Sequence, residues 1–319
     1  MVKWVALFWL ILFSPNSMAK DIYGPLLTYS QSPFHVNSLT PQLRSGFPNE
    51  PDVKEISITG TAASIWVDTA SYHADYYQNQ LAIAGKWQVD DKWLVELNYR
   101  LNYAENNGLD GLTKAFHNLF GIDQNGRDQV DDDRFIIELP EYGISLENFD
   151  GKALSNAITS YFQYQAYTEN KHGLTFGISL YYNNVNKGIF SSTRFEQAMQ
   201  FNYSYANSPH HFDALLGLTL RHSPSVFKEF PLKKNTLTSG LSYRYEMWER
   251  HHFVIQLSVL EGVSNRDDDF SDPSTELIYG YRYLMDNSAV EFSIIENALN
   301  ADNSTDIAFT LGYRYRITP

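Results

Sequence analysis

The feature that most constrains this chain is an alternation of apolar and polar residues, with a period of two, after Glu55. In the clearest segment, apolar and aromatic residues hold every second position: Trp93, Val95, Leu97, Tyr99, Leu101 and Tyr103. Period two is typical of a β-strand with two unlike faces. These segments run for about ten to fourteen residues, whereas ordinary strands have about five or six and tilted bilayer-crossing strands about nine to eleven. Segment length therefore favours a membrane barrel over a soluble sandwich.

The alternation predicts an all-β fold, an antiparallel transmembrane β-barrel of about twelve strands. The predicted strands are 55–68, 76–89, 93–104, 157–169, 173–183, 195–205, 211–222, 236–248, 252–261, 275–284, 288–297 and 306–317. Short connections alternate with long ones, which is typical of short periplasmic turns and longer external loops. An even strand count places both ends of the barrel on the periplasmic side. Segments 135–139 and 144–146 would raise the count to fourteen, but we assign them to the long loop 105–156.

The faces opposite the apolar ones hold Gly, Ala, Ser, Thr, Gln and scattered charges. A sandwich core would require Val, Ile and Leu there. Inside a bilayer no water pairs with backbone N–H and C=O groups, so strands satisfy them only in a closed ring. We therefore expect the apolar faces outside and a polar interior. The alternative is a secreted soluble β-protein.

Composition and the first residues predict where the protein is found. The chain carries 24 Lys and Arg against 37 Asp and Glu, a net charge of −13, which argues against nucleic-acid binding. It has no cysteine, which excludes disulfides and thiolate sites. Residues 1–19 combine Lys3, an apolar run and small residues, as in a secretory signal peptide. We predict export to the outer membrane of a Gram-negative bacterium, with the barrel formed by residues 55–319.

Two regions lack the period of two. Residues 20–54 contain five prolines, which argue against a central strand, and they are interpreted as a periplasmic lead-in or a plug of the lumen. In the long second loop, apolar residues share one helical stripe, and Asp110 and Gly121 can serve as caps. This pattern predicts a short amphipathic helix over 109–120, placed at the membrane interface, at the barrel mouth or against neighbouring loops.

The stretch GLDGLTKAFHNLFGIDQNGR, together with PLLTYSQSPFHVNSLTPQLRSG, resembles a proteobacterial family known as domain of unknown function 3187. The positions that match the family's helix motif are Asp110, Gly111, Phe116, His117, Phe120, Gly121, Gly126 and Arg127. Leu112 departs from it, because an aromatic residue is expected there. The resemblance implies an outer-membrane-type barrel and carries over no catalytic residue.

The sequence shows no clear catalytic motif. Barrel enzymes that hydrolyse outer-membrane lipids resemble one another in placing a His two residues before a Ser, which aims both side chains to one face. None of the nine histidines has this spacing, so no catalytic residue is assigned, although a Ser assembled with a distant His stays open. The pairs 210–211 and 251–252 are adjacent histidines that face apart on a strand. The acidic runs 131–133 and 267–269 lack metal-loop spacing. We expect no metal and no cofactor.

Strand parity points a set of charged residues inward. They are Glu96, Arg100, Asp213, Arg221, Arg244, Glu246, Arg282, Glu291, Arg314 and Arg316. Their signs are mixed, and because an unpaired charge in a narrow lumen is costly, we expect ion pairs. The cluster either constricts a pore and binds a polar solute, or is a structural network that fills the interior.

These observations leave three classes of function. The first is an integral outer-membrane barrel that acts as a narrow, porin-like channel or transporter for small polar solutes. The second is a structural or surface-interaction barrel without transport, and the third is a lipid-modifying enzyme. Expected partners are outer-membrane lipid, lipopolysaccharide and the barrel-insertion machinery, and the oligomeric state stays open.

Overall fold

Twelve long strands close into an antiparallel barrel in the computed structural model, which describes residues 23–69, 71–109, 111, 114, 130–131, 133–222, 226–227, 229–266, 268–299 and 303–319. The wall strands are β1 (Lys54–Asp68), β2 (His73–Gln88), β3 (Trp93–Ala104), β6 (Lys152–Glu169), β7 (His172–Val185), β8 (Ser192–Asn207), β9 (His210–Arg221), β10 (Asn235–Trp248), β11 (His251–Leu260), β12 (Ser274–Leu284), β13 (Ser288–Leu299) and β14 (Ile307–Ile317). Strands β4 (Ile136–Leu139) and β5 (Ile144–Glu147) form a separate hairpin.

The ring closes between the first and last strands. Each wall strand pairs with its neighbour in the chain, and β1 pairs with β14 from Lys54↔Ile317 to Ser64↔Ile307. The predicted all-β barrel of twelve strands is therefore confirmed. We call the end with the tight hairpin connections the turn end, where β1 begins and β14 ends, and the opposite end the loop end.

The segments assigned to the long loop are in fact strands β4 and β5, which corrects that part of the prediction. They stay outside the ring because β2 is longer than its neighbour β3. The pairing of β2 with β3 ends at Gln78↔Ala104, and β4 pairs with the free edge of β2 at residues 73–75. An unpaired strand edge exposes backbone hydrogen-bonding groups, which the hairpin satisfies.

The two faces of the wall differ as the alternation predicts. Large apolar side chains cover the outside, and several are more than half exposed, from 56% to 62%: Leu97, Ile178, Leu216, Leu241 and Leu311. On the inside of β7, Thr175, Ser179 and Asn183 are buried. An apolar outside and a polar inside are the reverse of a water-soluble fold and suit a hydrocarbon environment.

Aromatic residues gather on the outside at the turn end. Three histidines that begin a strand each bond the hydroxyl of a tyrosine on the next strand: His172 with Tyr203 (2.7 Å), His210 with Tyr243 (2.8 Å) and His251 with Tyr281 (2.5 Å). The histidines that follow two of them, His211 and His252, are buried on the inner face. Amphipathic rings at one level around a barrel form an interfacial girdle.

The loop end is covered by a second group of aromatic side chains, which we call the aromatic cap. It comprises Phe34, Tyr72, Tyr142, Phe230 and Phe270, with ring centroids 4.8–6.2 Å apart in the contacting pairs. The cap belongs to a larger apolar cluster that includes residues of the β4–β5 hairpin. Burial of such rings is worth several kcal/mol in total, so the loops pack as a lid over the barrel.

The amphipathic helix predicted over 109–120 lies almost wholly outside the described residues. Leu109, Gly111 and Lys114 are described; Leu109 is buried and Gly111 is exposed. Two short 3-10 helices, Pro140–Tyr142 and Asp269–Ser271, lie in the loops. Within the described ranges, no helix has the length and apolar character needed to cross a membrane.

Candidate functional site

The interior of the barrel is occupied by the chain's own residues 23–53, which we call the inner segment. It starts among β10, β12 and β14 near the turn end, where the carbonyl oxygens of Gly24 and Pro25 accept hydrogen bonds from wall arginines. It reaches the loop end at Ser32, whose hydroxyl donates to the carbonyl of Asn303 at 2.6 Å. It then returns to the turn end, where the N–H of Asn49 donates to Gln88. The prolines explain why this stretch forms no wall strand.

The part of the inner segment that runs from the loop end back to Asn49, which we call the returning limb, packs its backbone directly against the backbone of the wall. A Cβ atom on Gly46 would lie 2.5 Å from the carbonyl oxygen of Gly173, and one on Gly173 would lie 2.3 Å from the carbonyl oxygen of Gly46. These distances are shorter than side-chain contacts allow, so glycine is required at both positions. The N–H of Gly46 also donates to Oγ of Ser204 at 2.7 Å. The sequence therefore shapes this limb to lie flat on the wall.

A network of buried charges holds the start of the inner segment; we call it the turn-end network. Arg314 contacts Glu55 at 2.8 Å and Glu291 at 3.2 Å, Arg282 contacts Glu291 at 2.6 Å, and Lys86 contacts Glu55 at 3.1 Å. Because three cations face two carboxylates, spare guanidinium donors are available for the segment. Arg282 and Arg314 each donate to the carbonyl of Pro25 at 3.1 Å.

Aromatic rings of the inner segment and the wall add contacts to these cations. The ring of Tyr23 lies 5.1 Å from the guanidinium carbon of Arg314 and 5.7 Å from those of Arg282 and Arg316. On the returning limb, Arg44 stacks 3.8 Å over the ring of Tyr161. Cation–π contacts of this kind strengthen when they are withdrawn from water. The inner segment is thus held by directional contacts along its course.

The returning limb also carries a cation of its own. Arg44 pairs with Glu96 of β3 at 2.8 Å, and both side chains are nearly buried. Glu96 is one of the ten charged residues that parity points inward, but its partner lies outside the alternating pattern. The carboxylate of Glu276 on β12 differs, because its partners among the described residues are hydrogen-bond donors of the inner segment and not a cation: Ser30 Oγ, the N–H of Gln31 and the N–H of Ser32 donate to it at 2.9–3.1 Å.

A second group of charges lies near the loop end; we call it the loop-end network. Glu196 contacts Arg194 at 2.6 Å and Arg221 at 3.7 Å. The same carboxylate accepts hydrogen bonds from Ser38 Oγ at 2.7 Å and from the N–H of Leu39 at 2.6 Å. The guanidinium of Arg100 donates to the carbonyl of Ser38 at 3.2 Å. The inner segment is therefore fastened by charges at both ends of the barrel.

The structure places all ten charged residues singled out by parity on the inner face. Besides the contacts above, Arg244 donates to the carbonyl of Gly24 at 3.1 Å, and Arg316 donates to Asn49 at 3.4 Å. Glu246 lies 2.8 Å from Nε2 of His211. The hydroxyl of Ser204 donates to Asp213 at 2.5 Å. Mixed signs do pair in the interior, but many of the partners belong to the inner segment.

Sequence reasoning missed several residues of this site. Parity alone would have found Lys86, Arg194, Glu196 and Glu276, because each alternates with outward apolar neighbours such as Trp87, Phe195 and Leu277. No sequence signal marks Arg44, since the inner segment has no periodicity. Of the family motif, Gly111 lies within the described residues, whereas Asp110, Phe116, His117, Phe120, Gly121, Gly126 and Arg127 lie outside them.

Among the residues that the structure describes, no group of three or more His, Asp or Glu side chains is placed to hold a metal ion. Of the two acidic runs, Asp132 and Asp267 lie outside the described residues. In the second run, Asp268 accepts hydrogen bonds from the hydroxyls of Tyr142 and Ser264. That carboxylate therefore serves the packing of the cap.

Comparisons with known proteins show which family the chain matches and which solved structures it resembles. A family model described as "Protein of unknown function (DUF3187)" matches residues 4–317, which confirms the resemblance inferred from the motif. A search of the curated proteins found no match to the chain. Among solved structures, the chain is similar to the COG4313 outer membrane channel from Pseudomonas putida F1, with 9% identity, a TM-score of 0.52, and coverage of 85% of this chain and 97% of that one.

Two porins are further structural neighbours. The NanC porin has 10% identity and a TM-score of 0.48 over 82% of this chain and 100% of its own. The KdgM porin has 10% identity and a TM-score of 0.44 over 82% of this chain and 99% of its own. At these identities, the likeness to the Pseudomonas putida channel shows the fold alone, which is that of an outer-membrane β-barrel.

Proposed function

We propose that this chain, which belongs to the DUF3187 family of proteins of unknown function, is a channel-type barrel of the bacterial outer membrane that its own inner segment holds closed. Its solutes would be small and polar, because the wall that the segment covers is lined by polar and charged side chains. The observation that carries the proposal is the course of residues 23–53 through the lumen, fastened to buried charges at both ends of the barrel.

The membrane assignment is supported by the outside of the barrel. More than half-exposed Leu and Ile side chains face outward, and His–Tyr pairs ring the turn end. A bilayer solvates such a belt, whereas water would drive it to aggregate. The signal peptide predicted from residues 1–19 supports export. With this orientation, the turn end faces the periplasm and the aromatic cap faces outward from the cell.

The inner segment is suited to move because polar contacts hold most of it. Its bonds to Glu276, Glu196 and Ser204 join hydrophilic wall groups that water can solvate if the segment leaves. Exchanging a protein hydrogen bond for one to water costs about 0.5–1.5 kcal/mol when the partner is neutral, as in Ser204, and about 1.5–3 kcal/mol when it is a carboxylate. Three residues supply apolar anchors: Leu26 packs among Ala63 and Ile278, Leu39 packs in a separate cluster, and Phe34 packs in the aromatic cap. The wall is closed by backbone pairing among its own twelve strands, and the inner segment contributes no strand to that ring.

A disulfide that locks the inner segment to the wall tests this proposal. The chain has no cysteine, so introduced thiols are unique. A Cβ atom at Gly240 of β10 would lie 3.1 Å from Cγ of Leu43, the atom whose place Sγ of a cysteine would take. In a disulfide, a Cβ atom lies about 3 Å from the sulfur of the other cysteine, so this spacing suits one. In planar bilayers, we expect the oxidised double variant Leu43→Cys/Gly240→Cys to stay closed and to open after reduction. Each single-cysteine variant is the control and should open with or without the oxidant.

A filled lumen also favours a second function, a structural or surface-interaction barrel that never conducts. The same recordings separate the two. If wild-type protein, both single variants and the reduced double variant all fail to conduct, the channel proposal is wrong and the non-conducting barrel stands. If the oxidised variant conducts as well as the reduced one, the lumen is open by another route and the inner segment is not the closure.

A further inference from the structure

We propose that a cavity beneath the aromatic cap binds a small organic anion with an aromatic body, of which an aromatic monocarboxylate is the simplest example. The cavity lies between the tip of the inner segment and the loops that cover the barrel. This inference goes beyond the proposed channel function, because it concerns equilibrium binding and would stand for a barrel that never conducts.

The walls of the cavity are largely apolar and aromatic. Phe34 of the inner segment, Tyr76 of β2, and Phe190 and Phe230 of the loops all line it. Its space open to the centre of a water-sized sphere is about 60 Å³. One water needs about 10–15 Å³ by this measure, so the cavity has room for a molecule the size of a substituted benzene ring. Flat apolar walls of this kind favour an aromatic body.

One cationic side chain lines this apolar cavity. Arg194 of β8 is only 3% exposed. Its Nη1 donates to Oδ1 of Asn37 at 2.8 Å and its Nη2 to Glu196 at 2.6 Å, while its Nε has no hydrogen-bond partner among the described residues. A buried donor without a partner is destabilising, and a hydrogen bond to a charged group compensates for it best. An anionic oxygen is the group that satisfies this donor.

The local charge balance also favours an anion. Arg194 and Arg221 both pair with the carboxylate of Glu196, and a third guanidinium, that of Arg100, donates to the carbonyl of Ser38 close by, so three cations meet one carboxylate around the 37–39 turn. The nearby carboxylate of Glu261 is matched by Lys233 at 3.0 Å. A ligand carboxylate would reduce this excess of positive charge in a place with little water, where electrostatic interactions are strong.

Both halves of the site are needed to define the ligand. An inorganic anion or acetate would meet Arg194 but gain nothing from the aromatic walls. A neutral aromatic molecule such as an amide would fill the cavity but offer Nε of Arg194 only an uncharged acceptor, which forms the weaker hydrogen bond. The side chains of Val226, Phe227 and Leu232 line the same cavity and are only half-buried, so this side of the site is accessible from the loop surface.

Calorimetric titration of the full chain in detergent tests the site with three probes: benzoate, its uncharged isostere benzamide, and acetate. We expect saturable binding of benzoate, with benzamide at least about tenfold weaker, since a charge-assisted hydrogen bond contributes about 1.5–3 kcal/mol. Acetate should show no binding at the concentrations that saturate benzoate. Equal binding of benzoate and benzamide, or no binding of benzoate, would overturn the proposal.

Two variants locate the binding in this cavity. Arg194→Gln should abolish the preference for benzoate over benzamide, an effect that a general loss of packing would not produce. Val263→Phe keeps the charge but fills the cavity, because Val263 is a buried lining residue, and it should weaken both probes. Arg250→Gln, on an exposed arginine at the turn end, is the matched control and should bind as wild type. Heat-modified migration on gels verifies that each barrel is folded, and unchanged benzoate binding in both cavity variants would place the ligand elsewhere.

Discussion

The two ends of the barrel interior are held together by different physical interactions. At the turn end, Lys86, Arg282 and Arg314 alternate with Glu55 and Glu291, and the inner segment docks on their spare donors. At the loop end, the aromatic cap packs ring against ring, and the loop-end network lies below it. The turn end is therefore stabilised mainly by matched charges, and the loop end mainly by the burial of apolar rings away from water.

Because of this difference, substitutions at the two ends should change the stability of the protein in different ways. Buried ion pairs stabilise little relative to apolar packing, but a broken pair is strongly destabilising because a charge is left without a partner. Apolar contacts lose stability in proportion to the area removed and to the cavity left. Charge substitutions at the turn end should therefore act on the whole barrel, and apolar substitutions in the cap should act on the loops.

The largest effect is expected from Glu291→Gln. This change leaves Arg282 and Arg314 facing a neutral amide, so we expect a loss of about 3–5 kcal/mol in the free energy of unfolding. Urea unfolding in lipid vesicles measures it. Arg314→Met is the matched comparison and should cost clearly less, because Glu55 keeps Lys86 and Glu291 keeps Arg282. Equal losses for the two variants would show that charge matching does not govern the turn end.

The next effect is expected from Phe270→Ala in the cap. Phe270 is 2% exposed and contacts Phe34, Tyr72 and Phe230, so its truncation should cost the cap about 3 kcal/mol. Because the wall is closed independently, the loops should open without unfolding the barrel. Limited proteolysis should then cleave the loops faster while the unfolding midpoint of the barrel stays within error. A large fall in that midpoint would mean that cap and wall unfold as one unit.

A smaller effect concerns pH and His35, which lies beyond the strand ends near Glu261. Burial, together with the positive charge of Arg221, lowers the pKa of His35 to about 3. Between pH 6.5 and 3 the unfolded chain binds a proton that the folded protein does not, so stability falls as pH falls, by about 1.4 kcal/mol per unit.

The variant His35→Gln should lack this contribution, while every other titrating group is shared with the wild type. Unfolding free energies at pH 7.5 and pH 5 should therefore differ by about 2 kcal/mol more in the wild type than in the variant. The same pH dependence in both proteins would show that His35 is not buried as a neutral side chain.

The smallest effect is expected from Arg250→Gln. Arg250 and Asp286 form a pair at 3.2 Å on the outside of the turn end, with 53% and 90% of their side chains exposed. Water and salt screen such a pair, so the loss should stay below about 1 kcal/mol. A loss comparable to that of Glu291→Gln would remove the distinction between buried and exposed charges on which the turn-end comparison depends.

The wall could be predicted from the sequence because one physical constraint determines it. A strand between lipid and an interior repeats its environment every two residues, and the segment from Trp93 to Tyr103 shows the period directly. Parity also predicts that Arg282 and Glu291 point inward. The β4–β5 hairpin was harder to predict, because β4 pairs with a free edge of β2 that exists only where β2 extends beyond the end of β3.

The inner segment could not be predicted in the same way. Its prolines exclude a wall strand, but no repeat indicates which wall residue each of its groups meets. The pairing of Arg44 with Glu96 and the docking of Leu39 on Glu196 join positions that are 52 and 157 residues apart. Parity indicates that Glu96 and Glu196 point into the lumen, and only the course of residues 23–53 shows which groups of the inner segment they meet.

Hydrogen exchange of the inner segment tests the central claim most directly. The N–H groups of Leu26, Gln31, Leu39 and Gly46 donate to wall side chains at 2.6–2.9 Å. In the protein reconstituted into vesicles, mass spectrometry of peptides from residues 23–50 should show exchange that is much slower than in a free peptide but faster than in the wall strands, because side-chain contacts hold this segment in the lumen. Exchange at the rate of a free peptide from the earliest time point would contradict the account, because the lumen would then not be filled by this segment.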